Sequence, residues 1–344
     1  MLSKYKINKN LLFIGDLNTY TRTFQRYKIL EKIFQNTHTI SSEKIFVPGI
    51  HKNNKNFIFR FFFKFGIHLD NNNINKNIHV YIKKFKIDVI WIEKVNCLSI
   101  NLIKLLRNNH ILIYYTNDNI NKFHNISINY VFFIKYFHFL LIPKDYSLKT
   151  KKNRPKVYKF YRSFDNNYIP MKKNYEKKTI DIVFIGTYEK ERFETLNNAA
   201  NNLNYVIEIF GNGWSKVKNA NHNLIIHNKP LYNQELLSTL RKSKIALNFL
   251  RKKNNDQTTG RSFEILATNT FMISEISKVH LELFENHKEC VYFRNYKDLV
   301  ENINFYLKNE DKRETISNNG FNKVHESYTY QIWINDFLKN IYEY

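Results

Sequence analysis

Residues 256–275, DQTTGRSFEILATNTFMISE, carry the strongest local signal in the chain. A polar loop carrying Asp256 and Arg261 leads into an apolar helical pattern, Ser262–Thr268, and then into a short buried strand, Phe271–Ser274. A loop that opens a helix and is followed by a β-branched apolar run is typical of a parallel sheet with crossover helices. The stretch therefore predicts an α/β domain.

Glu264 is the candidate binding residue of this stretch. A nucleotide bound here would place its diphosphate near backbone N–H groups and Arg261. The paired oxygens of Glu264 would then accept hydrogen bonds from both ribose hydroxyls. A carboxylate in the predicted first turn also suits the positive end of the helix dipole. Spacing alone does not choose between these two roles of Glu264, nucleotide binding and helix stabilisation.

Strands and helices alternate in the same way through both halves of the chain. In the first half the predicted strands are Lys9–Asp16, Ile87–Ile92 and Ile111–Tyr115, with helices at Arg22–Phe34 and Ile100–Asn108. In the second half the predicted strands are Thr179–Gly186, Tyr205–Gly211, Leu224–His227, Ile245–Leu250 and Phe271–Ser274, with a helix at Glu189–Asn202. The polar and basic segment 144–178 is the predicted linker. We therefore expect two doubly wound units.

Glycines are rare enough in this chain to be informative, since only 8 occur among 344 residues. Glycine is the default residue where a backbone turns sharply or approaches a ligand closely. Gly15, Gly186, Gly211, Gly213 and Gly260 fall at the ends of predicted strands or in loops beside a predicted helix. This distribution indicates an α/β protein that handles a nucleotide.

The charge of the chain is strongly positive, with 54 Lys and Arg against 30 Asp and Glu and a formal net charge of +24. Such a charge attracts phosphates in nucleic acid, anionic lipid or a nucleotide-sugar. The chain is also rich in Asn, Lys, Ile, Phe and Tyr, as an AT-rich coding sequence would make it. A functional basic face and compositional drift are both open explanations.

Membrane-spanning, disulfide-linked and metal-binding classes are disfavoured. The longest apolar runs, 57–69 and 130–142, are interrupted by Lys, Arg or His and fall short of the roughly 20 apolar residues of a membrane span. No secretory signal is visible, so we expect a cytoplasmic protein. Cys97 and Cys290 match no disulfide or zinc spacing. No Asp-x-Asp pair or histidine cluster occurs, so we expect no metal and no cofactor.

The run 57–69, FIFRFFFKFGIHL, mixes aromatic residues with cations. Such a mixture suits docking at the inner face of a membrane. A buried element of the first domain explains the same run, and we prefer that interpretation.

Residues 261–275 resemble the donor-site signature of GT-B glycosyltransferases, specifically the CgeB/YkvP-like group (spore-maturation protein-like, glycosyl transferases group 1). That signature reads R-x-F-E-I-x-A-x-G-x-F-L-L-x-E. The chain matches it at Arg261, Phe263, Glu264, Ile265, Ala267, Phe271 and Glu275. Further similar segments are DIVFIGTYEKER (181–192), IEIFGNGW (207–214), LNFLRKKNND (247–256), LELFENHKECVYF (281–293), DLVENINFYL (298–307) and YTYQIW (328–333). Looser matches in the first half are LLFIGD (11–16), IDVIWIEK (87–94) and LIYYTND (112–118).

The resemblance implies a GT-B fold, an α/β architecture in which two Rossmann-like doubly wound domains face a cleft. Residues 1–170 would form the acceptor-side domain and residues 178–325 the nucleotide-sugar donor domain. Residues 326–344 would form a C-terminal helix that crosses back to the first domain.

The resemblance also implies a set of donor-binding residues. Glu264 would hold the donor ribose, and Asp256, eight residues earlier, would lie near the transferred sugar. The residues implied near the diphosphate are Arg251 and Arg261, and the glycines implied in the loops around the nucleotide are Gly186, Gly211 and Gly213. The chain departs from the pattern at Asn269, where the group usually has Gly, and at Tyr328 and Trp333, where it commonly has His and Arg.

The expected reaction needs charge stabilisation and, if it inverts the anomeric centre, a general base. Basic residues and helix N-termini would neutralise the departing diphosphate, and GT-B enzymes as a class need no bound divalent ion for this. Glu93 and Asp118 each follow a predicted strand of the first domain and are the candidate bases, with Asp16 a third choice. Capping or salt bridging fits each of them as well, and among the three we prefer Asp118.

We therefore predict a glycosyltransferase that moves a sugar from a nucleotide-diphosphate sugar to a glycan, lipid-linked or protein acceptor. We expect it to act in the synthesis of surface polysaccharide, lipopolysaccharide or glycoprotein, with membrane contact at most peripheral and no nucleic-acid partner. Two alternatives remain open. One is a non-catalytic basic protein that binds nucleic acid or an anionic membrane, and the other is a GT-B nucleotide-sugar epimerase.

Overall fold

The computed structural model describes residues 6–42, 62, 65, 67–70, 72–118, 128–143, 155–171 and 176–342. The chain divides into two compact units. Unit 1 comprises Met1–Tyr161 and Trp333–Tyr344, and unit 2 comprises Arg162–Ile332. The aromatic run 57–69, for which a buried element or a membrane-docking segment is predicted, lies largely outside the described residues.

Unit 1 is built on a six-stranded parallel sheet with the order β2-β1-β3-β4-β5-β6. Its strands are β1 (Ile7–Gly15), β2 (Phe34–Ser41), β3 (Val89–Glu93), β4 (Ile111–Tyr115), β5 (Phe139–Ile142) and β6 (Lys156–Lys159). Its helices are α1 (Arg22–Ile33), α2 (Ile74–Lys84), α3 (Ile100–Arg107) and α4 (Ile128–Phe133), the last followed by a 3₁₀ turn, Ile134–Tyr136. The chain order reverses between β1 and β3, and open α/β sheets bind ligands at the carboxyl ends of strands beside such a reversal.

Unit 2 has a second six-stranded parallel sheet with the order β12-β11-β10-β7-β8-β9. Its strands are β7 (Ile180–Ile185), β8 (Ile207–Phe210), β9 (Leu224–Ile226), β10 (Ser243–Asn248), β11 (Phe271–Glu275) and β12 (Val291–Phe293). Its helices are α5 (Lys190–Ala200), α6 (Asn233–Arg241), α7 (Gly260–Ala267), α8 (Lys278–Leu283), α9 (Tyr296–Lys308) and α10 (Glu310–Ser327). This is the strand order of a Rossmann domain, and its reversal lies between β7 and β10.

The last helix, α11 (Tyr330–Tyr342), belongs to unit 1 from Trp333 onward. Phe337 packs edge-on against Trp91 with ring centroids 5.8 Å apart, and against Phe139 and Tyr158 at 5.6 and 5.1 Å. On the other face of the same sheet, Ile90 and Ile92 join the core beneath α2, α3 and α4. Burial on both faces explains why the β3 sequence is a continuous apolar run.

The two parallel sheets confirm the predicted α/β architecture with two Rossmann-like domains. Some strands escape prediction because they lie at sheet edges. The β2 sequence FQNTHTIS is mostly polar, and β6, KVYK, alternates lysines with apolar residues inside the predicted linker 144–178. Edge strands need little apolar surface, so their hydrophobic signal is weak. Among the described residues, no helix combines the length and apolarity that a membrane span requires.

Candidate functional site

The start of α7 lies at the carboxyl end of β10, beside the strand reversal of unit 2. Thr259 caps the helix: its Oγ1 accepts a hydrogen bond from the backbone N of Ser262, and the Ser262 Oγ accepts one from the backbone N of Thr259. This capping box starts the helix at Gly260 rather than at the predicted Ser262. Glu264 is therefore the fifth helical residue, and its predicted place in the first turn, at the helix dipole, is wrong.

A buried polar network holds this helix start in place. The Asn248 side chain donates to Ser262 Oγ at 3.1 Å and to Ser274 Oγ at 2.9 Å, which links β10, α7 and β11. His280 Nε2 lies 2.9 Å from Ser262 Oγ, and Nδ1 lies 3.2 Å from the carbonyl oxygen of Glu275. Complete burial lowers the pKa of His280 to about 4. The imidazole is therefore neutral near neutral pH, with a proton on Nδ1 and an acceptor at Nε2.

Glu264 is buried, and its carboxylate pairs with a neighbouring arginine. Arg261 Nη1 donates to Glu264 Oε2 at 2.7 Å, from one turn earlier on α7. A charge-assisted bond of this kind fixes the orientation of the carboxylate. The structure thus brings together the two residues that the sequence pattern placed at the nucleotide, at the start of a helix.

Asp256 lies completely buried in the loop before α7. Arg251 Nε donates to Asp256 Oδ2 at 3.1 Å, Asn254 Nδ2 donates to Oδ1 at 2.8 Å, and Arg162 Nη2 lies 3.7 Å from Oδ1. The side chain of Arg251 is nearly half exposed, so the buried carboxylate anchors a cation that reaches the surface. This placement favours a role for Asp256 in positioning Arg251. Its proximity to the transferred sugar stays a prediction.

The predicted glycines hold two loops in close contact. Gly211 has φ +151°, and a Cβ added there would lie 1.9 Å from the carbonyl oxygen of Gly186. The same oxygen accepts a hydrogen bond from Trp214 Nε1 at 2.8 Å, and Gly186 N donates to Phe210 O at 2.8 Å. Gly213 has φ +84° and begins the 3₁₀ turn at Trp214. Only glycine fits at Gly211, so the loops after β7 and β8 can pack backbone to backbone.

Arg192 is absent from the predicted binding residues, although the structure places it beside them. Its Nη1 donates to the carbonyl oxygen of Thr187 at 3.0 Å, and its Nη2 lies 3.6 Å from Glu189. Burial lowers the pKa of Arg192, and the nearby positive charge of Arg251 lowers it further. The buried Nε atom finds no hydrogen-bond partner within the part of the chain that the structure describes.

The sequence does contain a signal for Arg192. It is the third residue of α5, and a cation in the first turn opposes the helix dipole. Glu189 supplies one negative charge to this buried arginine. An anion bound at this end of the sheet would supply a further one.

In unit 1, Glu93 at the end of β3 is fully buried. Arg26 contacts both of its oxygens, with Nη2 at 2.5 Å and Nε at 2.8 Å, and Trp91 Nε1 donates at 3.0 Å. The Arg26 guanidinium also lies over the ring of Tyr115 at 4.2 Å. These contacts tie α1 to the sheet and favour a structural role for Glu93 over that of a base.

Asp118 follows β4 and is 38% exposed at its side chain. Lys94 Nζ lies 3.6 Å from Asp118 Oδ2, and the backbone N of Asp118 donates to Thr116 Oγ1 at 3.2 Å. The third choice, Asp16, accepts hydrogen bonds from the backbone and side chain of Asn18 at 3.1 and 2.9 Å. Asp16 therefore closes a local turn, whereas Asp118 presents a carboxylate to solvent at the carboxyl edge of the sheet.

Within the described ranges, no three His, Cys, Asp or Glu side chains come together as a metal site. The expectation of a reaction without metal or cofactor stays a prediction.

Residues 191–339 match a protein family described as Glycosyl transferase-like. No curated protein sequence matches the chain. The matched segment begins one residue before Arg192 and includes α7 with Glu264.

Solved structures with the same fold include an alpha-glucosyltransferase in complex with UDP-glucose and DNA containing an abasic site. That chain is 12% identical, with 97% of this chain and 100% of that chain covered and a TM-score of 0.66. The trehalose-6-phosphate phosphatase N-terminal domain of Candida albicans is 12% identical, with 98% and 97% covered and a TM-score of 0.65. A glycosyltransferase of Rickettsia africae is 12% identical, with 98% of each chain covered and a TM-score of 0.61.

At these identities the structural likeness shows the fold, and the family match shows the class of the C-terminal domain. Together they confirm the predicted GT-B fold and the predicted glycosyltransferase class.

Proposed function

We propose that this chain transfers a sugar from a nucleoside diphosphate sugar to an acceptor and that unit 2 binds the donor. The observation that carries the proposal is the buried Glu264–Arg261 pair at the start of α7, inside the segment similar to glycosyl transferases. A buried carboxylate is a hydrogen-bond acceptor, and ribose hydroxyls are neutral donors of matching spacing. Binding of UDP-glucose by one structure of the same fold supports a nucleotide-sugar donor.

The diphosphate would lie against Arg251 and Arg192. The buried Asp256 accepts a hydrogen bond from Arg251 Nε and so orients the guanidinium. The Arg251 side chain is still nearly half exposed and can contact a bound anion. Arg192 adds a buried cation next to it. The close packing of Gly186 and Gly211 leaves backbone near this site without intervening side chains. Fixed cations stabilise the charge that grows on the departing diphosphate, which is the largest catalytic effect available here without a metal.

The acceptor would be activated from unit 1, and Asp118 is the base that we propose. Its carboxylate is accessible, and Lys94 Nζ lies 3.6 Å from it. A general base of this kind contributes typically about 10²- to 10⁴-fold to a rate. Both oxygens of Glu93 already accept hydrogen bonds from Arg26, so we propose that Glu93 stabilises unit 1 and does not act as the base.

The finer assignments follow from the sequence pattern alone. We propose membership of the CgeB/YkvP-like group from the match at Arg261, Phe263, Glu264 and Ile265. We also propose a cytoplasmic site of action and a role in building surface polysaccharide, lipopolysaccharide or glycoprotein.

The proposal is tested by thermal unfolding of the full chain with UDP, GDP, CMP, ADP and dTDP, followed by calorimetry with the stabilising nucleotide. A nucleotide at about 100 times its dissociation constant adds roughly 2.7 kcal/mol to the free energy of unfolding. We expect one nucleotide to stabilise the chain and Glu264→Gln, which keeps the side-chain shape, to weaken its binding by roughly tenfold or more.

Glu301→Ala is the matched control, because Glu301 is an exposed carboxylate of the same unit on α9. Its donor affinity should equal that of the unmodified chain. Equal affinity in Glu264→Gln would contradict the proposed ribose contact. A chain that no nucleotide stabilises would instead point to the non-catalytic binding protein, and a changed sugar in the absence of acceptor would point to an epimerase.

A further inference from the structure

One surface of unit 1 exposes large apolar side chains next to lysines. It is formed by α3, α4 and the turn Ile134–Tyr136, and we name it the α3–α4 surface. Leu105 on α3 is 52% exposed, and Val131 and Phe132 on α4 are 55% and 51% exposed. These side chains are apolar, yet they contribute nothing to the core.

Both helices already have a separate apolar face for the core. On α3 and α4 the buried positions are Leu102, Ile103, Leu106, Tyr130 and Phe133. The exposed apolar residues of α4 lie at helical spacing on the opposite side, where Ile128 is also 39% exposed. A surface helix normally carries polar residues there. No described part of the chain covers this second apolar face, which therefore calls for a partner.

Cations border these apolar residues. Lys104 Nζ and Lys135 Nζ lie 5.4 and 5.3 Å from the centre of the Tyr136 ring. Arg107 donates to the carbonyl oxygens of Tyr136 and Phe137 at 2.7 and 3.1 Å, which fixes the turn against α3. A groove of about 620 Å³ runs between Lys104, Arg107 and Lys135. Residues 100–108 and 128–136 contain no Asp or Glu, so the surface is uniformly basic.

We propose that the α3–α4 surface docks on an anionic phospholipid bilayer. Leu105, Val131 and Phe132 would enter the boundary between headgroups and acyl chains, and Lys104 and Lys135 would contact lipid phosphates. Exposed aliphatic residues beside lysines on a helix are the pattern of interfacial binding, and the tyrosine ring suits the headgroup level. A nucleic acid would satisfy the lysines but leave the aliphatic side chains in water. The proposal is independent of the donor site, since all of these residues lie in unit 1.

The test is co-flotation of the full chain with vesicles of phosphatidylcholine alone or phosphatidylcholine mixed with phosphatidylglycerol. We expect binding only to the anionic vesicles. Lys104→Gln with Lys135→Gln should weaken it by roughly 30-fold, since each lysine near such a surface contributes about 1 kcal/mol. Val131→Ser with Phe132→Ser should weaken it by roughly tenfold or more, because it removes the apolar contact without changing the charge.

Lys216→Gln with Lys218→Gln is the matched control, since it removes two exposed lysines from unit 2. It should bind like the unmodified chain. Absence of binding to anionic vesicles overturns the proposal and favours an acidic protein partner. Equal losses of vesicle binding in the Lys104/Lys135 and Lys216/Lys218 variants also overturn it, and so does full binding by the Val131/Phe132 variant. In either case general charge attraction would suffice to explain the binding. Thermal unfolding checks that each variant is folded, and Leu105→Ser replaces the serine pair if that pair unfolds.

Discussion

Ser262 Oγ and His280 Nε2 lie 2.9 Å apart in a fully buried network, and this contact joins the start of α7 to α8. Ser262 Oγ already accepts from Asn248 and from the backbone N of Thr259, so its hydroxyl proton is directed at Nε2. If His280 were protonated, its Nε2–H would face the Ser262 O–H, so two donors would meet and the hydrogen bond would be lost. The helix that carries Glu264 is therefore held by an imidazole that must stay neutral.

The first prediction concerns pH. The pKa of His280 is lowered to about 4 by burial, so below the ordinary histidine pKa the unfolded chain binds the proton and the folded chain does not. The free energy of unfolding therefore falls as the pH drops through about 6.5, and the loss is complete near the folded pKa. For His280 this amounts to about 2 kcal/mol near pH 5.

Urea unfolding of the unmodified chain and of His280→Gln at about pH 7 and about pH 5 measures this contribution. The variant should show the smaller dependence on pH. Burial also lowers the pKa of His38, His138 and His325, and these contribute equally to both proteins. Identical pH dependence in the two proteins would show that His280 titrates normally.

The second prediction concerns the contact between Gly211 and Gly186. Alanine at 211 would place its Cβ 1.9 Å from a carbonyl oxygen and would also be strained at φ +151°. Both loops must then move, so we expect a loss of about 3 kcal/mol or more in stability together with weaker donor binding. Gly213→Ala meets its nearest neighbour, Tyr188 Cβ, only at 3.4 Å and should cost about 1–2 kcal/mol for strain alone. Equal losses measured by urea unfolding would show that the backbone contact is not tight.

The third prediction separates Glu93 from Asp118, two of the three candidate bases of unit 1. Glu93→Gln leaves the buried Arg26 without its charged partner, and breaking such a pair costs about 3–5 kcal/mol. Asp118→Asn changes a partly exposed carboxylate and should alter stability by less than about 0.5 kcal/mol. We expect Asp118→Asn to lower kcat by roughly 10²-fold or more while the fold is kept. Full activity in Asp118→Asn, assayed with donor and acceptor, would remove it as the base.

These two carboxylates also show what the sequence could and could not predict. Both follow apolar strands, so their position at the carboxyl edge of a sheet is readable from the strand pattern. Their environments cannot be read from the strand pattern, because the partner of Glu93 is Arg26, which lies 67 residues earlier on α1. The roles of Asp256 and Arg192 are hidden for the same reason, since burial depends on loops that meet only in the folded chain. Local patterns therefore predict the elements and their ends, whereas the pairing of charges requires the tertiary structure.

The last prediction concerns Arg192, whose guanidinium is buried near the positive charge of Arg251. Its pKa is lowered by burial, and its buried Nε finds no hydrogen-bond partner among the described residues. Arg192→Met would remove this unfavourable burial while keeping most of the apolar contact with Phe184, over whose ring the guanidinium lies at 5.9 Å. We expect the free energy of unfolding without donor to stay the same or rise. Donor affinity should fall by roughly 30-fold, as for the loss of one charged hydrogen bond of about 2 kcal/mol.

These opposite signs distinguish a binding residue from a structural one. Urea unfolding without nucleotide and calorimetry with the stabilising nucleotide give the two quantities on the same protein. If Arg192 serves the fold through its bond to Thr187, the variant will lose stability and keep its affinity for donor. If Arg192 binds the diphosphate, the variant will bind the nucleotide more weakly, although its free energy of unfolding without nucleotide is not reduced.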